Sequence, residues 1–124
     1  MENKNIIGKT FTVTIDRQMG TSHPKYPQNI YPINYGYVEG IKAPDGDFQD
    51  VYVLGVGTPL ETFVGEIIAI VTRDNDIEEK WVAAPRGMKF SKEEISEKIH
   101  FMEQFHQSHI CLTQEEYEKQ KRNK

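Results

Sequence analysis

The chain has little cysteine, a single tryptophan and no long apolar run. Its only cysteine among 124 residues, Cys111, cannot form an internal disulfide, so no bridge framework shapes the fold. It lies in the apolar patch Ile110-Cys111-Leu112 and reads as a small buried residue. The longest apolar stretch, Ile67-Ile68-Ala69-Ile70-Val71, is far too short to span a membrane. The polar start Met1-Glu2-Asn3-Lys4-Asn5 holds no signal-peptide core. A cytoplasmic protein without a membrane partner is therefore expected. A basic stripe is also missing: the net charge is −4 and only the last residues are rich in lysine and arginine, which argues against nucleic acid. Four histidines, His23, His100, His106 and His109, lack the spacing of a zinc site.

What remains is ordinary globular composition, 37% hydrophobic and 27% charged, in a length that suits one domain. Phe11, Val13 and Ile15 alternate with Thr10, Thr12 and Thr14, which predicts a half-buried strand ending at Asp16-Arg17. Gln18 to Asn29 reads as a loop, since Gly20, Pro24 and Pro27 interrupt regular structure. An extended segment from Tyr31 to Val38 follows, with Gly36 marking a bulge or a close approach. Further strands are expected near residues 50 to 56, 67 to 72 and 81 to 84, the last two joined as a hairpin.

The last third changes period. Ser91 and Glu94 form a capping box, and Ile95, Ile99, Met102 and Phe105 recur at helical spacing, predicting one amphipathic helix over about 92 to 107. A short strand near 109 to 112 comes next. One helix on a strand-rich body implies a small barrel, mainly β in the α+β sense, occupying residues 1 to 112. Residues 113 to 124 read as a charged tail, either a frayed helix or disordered.

Carboxylate is abundant in one place. Asp45, Asp47 and Asp50 crowd into Pro44-Asp45-Gly46-Asp47-Phe48-Gln49-Asp50-Val51, just before the apolar run Val51 to Leu54. At spacings of two and three, no single strand face or helix face presents all three. Crowded carboxylates raise one another's pKa or call for a cation with oxygen ligands, Mg²⁺ or Mn²⁺. The plainer alternative is a solvated Asp-Gly turn. Likewise Tyr31 and Tyr35 suit cross-strand packing as well as ligand contact, and Glu78-Glu79 suits a solvated turn.

Four blocks in order, Ile15-Asp16-Arg17, Tyr31-Pro32-Ile33-Asn34-Tyr35-Gly36-Tyr37, Asp45-Gly46-Asp47-Phe48-Gln49-Asp50-Val51 and Glu78-Glu79-Lys80-Trp81-Val82-Ala83, resemble those of the soluble Mg²⁺-dependent inorganic pyrophosphatases. The resemblance implies an OB-like barrel of five or six strands, closed or partly open, with the C-terminal helix packed on it. It implies hydrolysis of pyrophosphate to two phosphates by metal-activated water, a small phosphorylated substrate and a homo-oligomer. Asp45, Asp50 and Glu78 would hold Mg²⁺, or Mn²⁺, and Asp47 would help deprotonate the attacking water. Arg17, Lys80, Tyr31 and Tyr35 would face phosphate or the acidic groups. Arg73-Asp74 stands where the family has two adjacent acids, so Asp74 joins the candidate metal ligands. Phe105-His106 replaces a phosphate-binding Tyr-Lys pair, and the loop after Arg17 is longer, bringing His23 and Lys25 as further phosphate contacts. These differences keep two alternatives open: a hydrolase of another phosphoanhydride, and a non-catalytic barrel that binds an anion or a protein.

Overall fold

In a computed structural model, residues 5–74 and 76–122 are described; most of the polar start, Asn75 and the last two residues of the tail lie outside them. Six strands and two helices follow one another: β1 (Thr10–Arg17), β2 (Asn34–Lys42), β3 (Phe48–Val53), β4 (Thr62–Arg73), β5 (Glu79–Ala84), α1 (Lys92–Glu103), β6 (Ser108–Cys111) and α2 (Gln114–Arg122). The strand order is β1-β2-β3-β5-β4-β6, and β1 also pairs with β4, so five strands close into a barrel and β6 extends it. Closure leaves few free strand edges. All pairings are antiparallel except β3 with β5.

Alternation along the strands makes two cores. Val13 and Ile15, Val38, Val51 and Val53, Ile67 and Ile70, and Trp81 and Ala83 form one cluster. Every barrel strand contributes to it, so it fills the barrel. Tyr52, Leu54, Ala69, Val71, Val82 and Ala84 form the other, on the outer face, against Ile95 and Ile99 of α1. A register shift between Ile67 and Ala69 lets β4 serve both cores, with Ile67 and Ile70 inside while Ile68 and Ala69 face out. Gly36 is needed where β1 crosses β2, because a Cβ there would lie 1.9 Å from the Thr14 carbonyl oxygen.

One expectation is corrected, and of the two alternatives for the tail the helical one is found. The helix ends at Glu103, with Gln104 as its C-cap, and Phe105 is 74% exposed rather than packed on the barrel. Its buried positions are Ile95, Ile99 and Glu103, spaced by four, so the stripe ends on a carboxylate instead of a phenyl ring. The tail beyond 113 is a second helix as far as Arg122: Tyr117 donates from its hydroxyl to Glu79 Oε1 at 2.8 Å and Lys121 meets Glu79 Oε2 at 2.8 Å. Those two contacts give buried Glu79 its partners. The capping box at Ser91 and Glu94 is present. Cys111 is buried, and burial pushes its thiol pKa up to about 11.

Candidate functional site

Strand alternation places the site. On β3, Val51 and Val53 point inward, so Asp50 and Tyr52 point outward under the end of α1. The parallel register of β3 with β5, Val51 beside Trp81 and Tyr52 beside Val82, sets Lys80 next to Asp50. On β2, Tyr35 is opposite Tyr52, and their rings lie 5.3 Å apart. Arg73 ends β4 on the same side, opposite Ser108 of β6.

These residues form one ion-paired floor. The Lys80 ammonium meets Asp50 Oδ2 at 2.7 Å and Glu78 Oε2 at 2.5 Å, and lies 5.6 Å from the centre of the Tyr35 ring. Arg73 grips Glu103 through Nε (3.1 Å) and Nη2 (2.7 Å), and donates from Nη1 to Glu78 Oε1 at 3.0 Å. Glu103 also accepts from the hydroxyls of Tyr52, at 2.5 Å, and Ser108. Arg73, Lys80 and Glu103 are all buried. Two cations against three carboxylates leave a single negative charge.

The protonation states follow from these contacts. Burial alone would lower the Lys80 pKa, but Tyr35, Asp50 and Glu78 outweigh it and hold it above the ordinary lysine value. Burial would raise Glu103, yet hydrogen bonds from Arg73, Ser108 and Tyr52 keep it below the usual carboxylate value. Tyr52 is pushed well up by burial and by the Glu103 charge, so its hydroxyl stays protonated and donating.

Above this floor is a cavity of about 640 Å³, to which Arg73, Glu78 and Lys80 contribute the charged base. One wall comes from the loop before β2, with His23, Tyr26, Ile30 and Tyr31; the other comes from the end of α1, with Phe101, Met102, Phe105 and His106. Asn34 anchors the loop: its side chain accepts from Met19 N at 3.0 Å and Leu60 N at 3.2 Å and donates to the Thr58 carbonyl. His23 stacks on Tyr31 with rings 5° from parallel, and its Nδ1 accepts from Lys25 N at 3.0 Å, leaving Nε2–H as the free donor of a neutral ring. Tyr31 meets Phe101 edge to face at 5.7 Å, which joins the two walls. A depression of similar size, about 700 Å³, lies between α1, β6 and α2, but its cation Lys92 is exposed and paired with Glu116, so no buried charge faces it.

Of the residues singled out from sequence, the structure brings together His23, Tyr31, Tyr35, Asp50, Glu78 and Lys80. Asp45 and Asp47 are exposed on the turn before β3, where Asp45 Oδ1 accepts from Asp47 N at 3.0 Å around Gly46, whose φ is +93°. Asp74 pairs with His109 Nε2 at 2.9 Å. Arg17 spends Nη1 on the Asp16 carbonyl, although its register opposite Tyr35 keeps it on the site's side of the sheet. Lys25 is exposed. Arg73, Glu103 and Tyr52 were not singled out as site residues. A charge closing the apolar run of β4 and another ending the Ile95-Ile99 stripe were the available signals.

Carboxylates and water-facing oxygens are the right donors for Mg²⁺, but this arrangement does not fit one. Both Glu78 oxygens and one Asp50 oxygen are held by protein cations. Among the described residues, no three His, Cys, Asp or Glu side chains come together as a metal-holding group.

No protein-family model and no curated protein sequence matches the chain. Solved structures do. An inorganic pyrophosphatase from Ehrlichia chaffeensis superposes with a TM-score of 0.65 at 16% identity, covering 94% of this chain and 96% of that one. One from Coxiella burnetii gives 0.62 at 18% identity, covering 96% and 94%. One from Thermus thermophilus gives 0.61 at 14%, covering 88% and 86%. With its five-stranded closed barrel and C-terminal helix, this chain has the fold of the bacterial soluble inorganic pyrophosphatases.

Proposed function

We propose that the cavity over Arg73 binds a small phosphorylated molecule whose remaining part is flat or apolar. The observation that carries this reading is the cavity itself: about 640 Å³, walled by Tyr26, Tyr31, Phe101, Phe105 and the His23 ring. Sites that hold a whole small molecule run from about 300 to 1,000 Å³, and pyrophosphate has no apolar surface to set against such walls. The donor inventory supports the phosphate end. Lys80 gives two of its three N–H groups to Asp50 and Glu78, and Arg73 retains two of five. The two guanidinium N–H groups, His23 Nε2–H and His106 are among the donors the cavity offers an anion, and a guanidinium suits phosphate oxygens.

Hydrolysis of pyrophosphate is the second reading, favoured by the fold and by the outward placement of Asp50 beside Lys80 and Glu78. It assigns Asp45, Asp50, Glu78 and Asp74 to Mg²⁺ or Mn²⁺ and Asp47 to the attacking water. It requires the turn from 45 to 50 to swing towards Glu78 and Lys80 to release Asp50. Calorimetric binding and phosphate release, run on pyrophosphate, inorganic phosphate and nucleoside mono- and diphosphates, with Mg²⁺ and with chelator, separate the two. The first reading expects a nucleotide to bind at least tenfold more tightly than pyrophosphate, with the gain lost in Phe101→Ala. Rapid Mg²⁺-dependent turnover of pyrophosphate, with no preference for the larger compounds, would overturn it.

A further inference from the structure

We propose that Lys80 and Arg73 supply, from within the protein, the positive charge that this carboxylate centre would otherwise draw from divalent ions, so that it holds its anion without Mg²⁺ or Mn²⁺. The argument is one of saturation. Glu78 has one oxygen on Arg73 at 3.0 Å and the other on Lys80 at 2.5 Å. Asp50 has Oδ2 on the same ammonium at 2.7 Å, and Glu103 takes two N–H groups of Arg73 along with the Tyr52 and Ser108 hydroxyls. A divalent ion on Asp50 and Glu78 would displace Lys80 from both partners and leave a buried ammonium beside it, which like-charge repulsion and lost hydrogen bonds oppose.

The remaining acids do not relieve this. Asp45 caps the Asp47 amide on an exposed turn, and Asp74 is engaged with His109. A lysine and an arginine also differ from a metal in being permanent. The centre is charge-balanced as the chain folds, and it keeps two guanidinium N–H groups for a ligand.

The test measures metal directly and so stands apart from the identity of the phosphorylated ligand. Mn²⁺ binding is followed by the loss of the free-ion electron paramagnetic resonance signal, with and without inorganic phosphate, together with the melting temperature in millimolar Mg²⁺. Wild type is expected to leave both unchanged. Lys80→Met keeps the aliphatic stem but frees Asp50 and Glu78, and it is expected to gain Mn²⁺ affinity at least tenfold over wild type. Should Lys80→Met not fold, Asp50→Asn decides with wild type: the proposal holds if the two bind Mn²⁺ equally poorly. Wild type that binds Mn²⁺ in the millimolar range or tighter, and loses it in Asp50→Asn, would overturn the proposal even if nucleotides bind as expected.

Discussion

The molecule carries two groups of acids that invite comparison. Asp45 and Asp47 stand close in sequence, on an exposed turn where the Asp45 carboxylate makes a local cap. Asp50, Glu78 and Glu103 come from three separate stretches of chain, and two buried cations hold them together. The density of carboxylates along the chain therefore marks the turn, while the chemistry collects where strands from different segments converge. Charges that share a short loop can spread into water, whereas charges gathered by a barrel must find partners because the fold removes the water.

The contrast predicts very unequal costs. Glu103→Ala is expected to be the most damaging change, at about 3–5 kcal/mol in urea unfolding, because it leaves Arg73 buried with Glu78 as its remaining carboxylate. Ile99→Ala, at 1% exposure on the buried face of the same helix, should cost about 2–5 kcal/mol through the cavity it opens. If it cost more than Glu103→Ala, packing rather than ion pairing would dominate the docking of α1. Tyr52→Phe removes one donor from Glu103 and should cost about 1–3 kcal/mol. Asp45→Asn and Asp47→Asn should change stability by less than about 0.5 kcal/mol, as exposed sites do. A large effect of either on unfolding would show that the turn is tied to the floor.

The pH dependence of stability sharpens the same comparison. Glu103 has its folded pKa lowered, so its contribution is complete above the unfolded value, about 4.3, and fades as pH falls through the folded one. Tyr52 has its folded pKa raised, so its contribution is complete below the unfolded value, about 10, and fades as pH rises beyond it. Wild type should lose stability at both ends. Tyr52→Phe should lessen the alkaline limb in urea titrations, to which Tyr35 and Tyr117 also contribute, and leave most of the acid limb.

Much of the fold could be read from the chain. Alternation at Phe11, Val13 and Ile15 fixed the first strand, the turn after Thr72 made the expected hairpin with β5, and Ser91 with Glu94 marked the start of α1. The end of α1 was misjudged because Met102 and Phe105 continued an apolar spacing, while the turn that follows takes Phe105 away and the buried position falls on Glu103. The second helix was obscured because all its apolar anchoring comes from Tyr117 amid charged residues. For the site, Asp50, Lys80 and Glu78 were legible as types but not as partners. Arg73 and Glu103 lie thirty residues apart, and no local pattern announces such a pair.

The twelve-residue β4 pairs with β1 through 62–66, with β5 through 66–72 and with β6 through 70–73. Glu66 and residues 70–72 are paired on both sides, so these parts of the strand come free only when two neighbouring strands let go, and they belong to the last unit of the protein to open. Arg73, at the end of that strand, inherits this slowness. The walls have no such ladder: the loop before β2 is held mainly by bonds within itself and by Asn34, and residues 104–107 follow the helix end. A ligand would therefore meet a base held by strand ladders and sides held together by the Tyr31–Phe101 contact, and admission to the cavity would be timed by the walls.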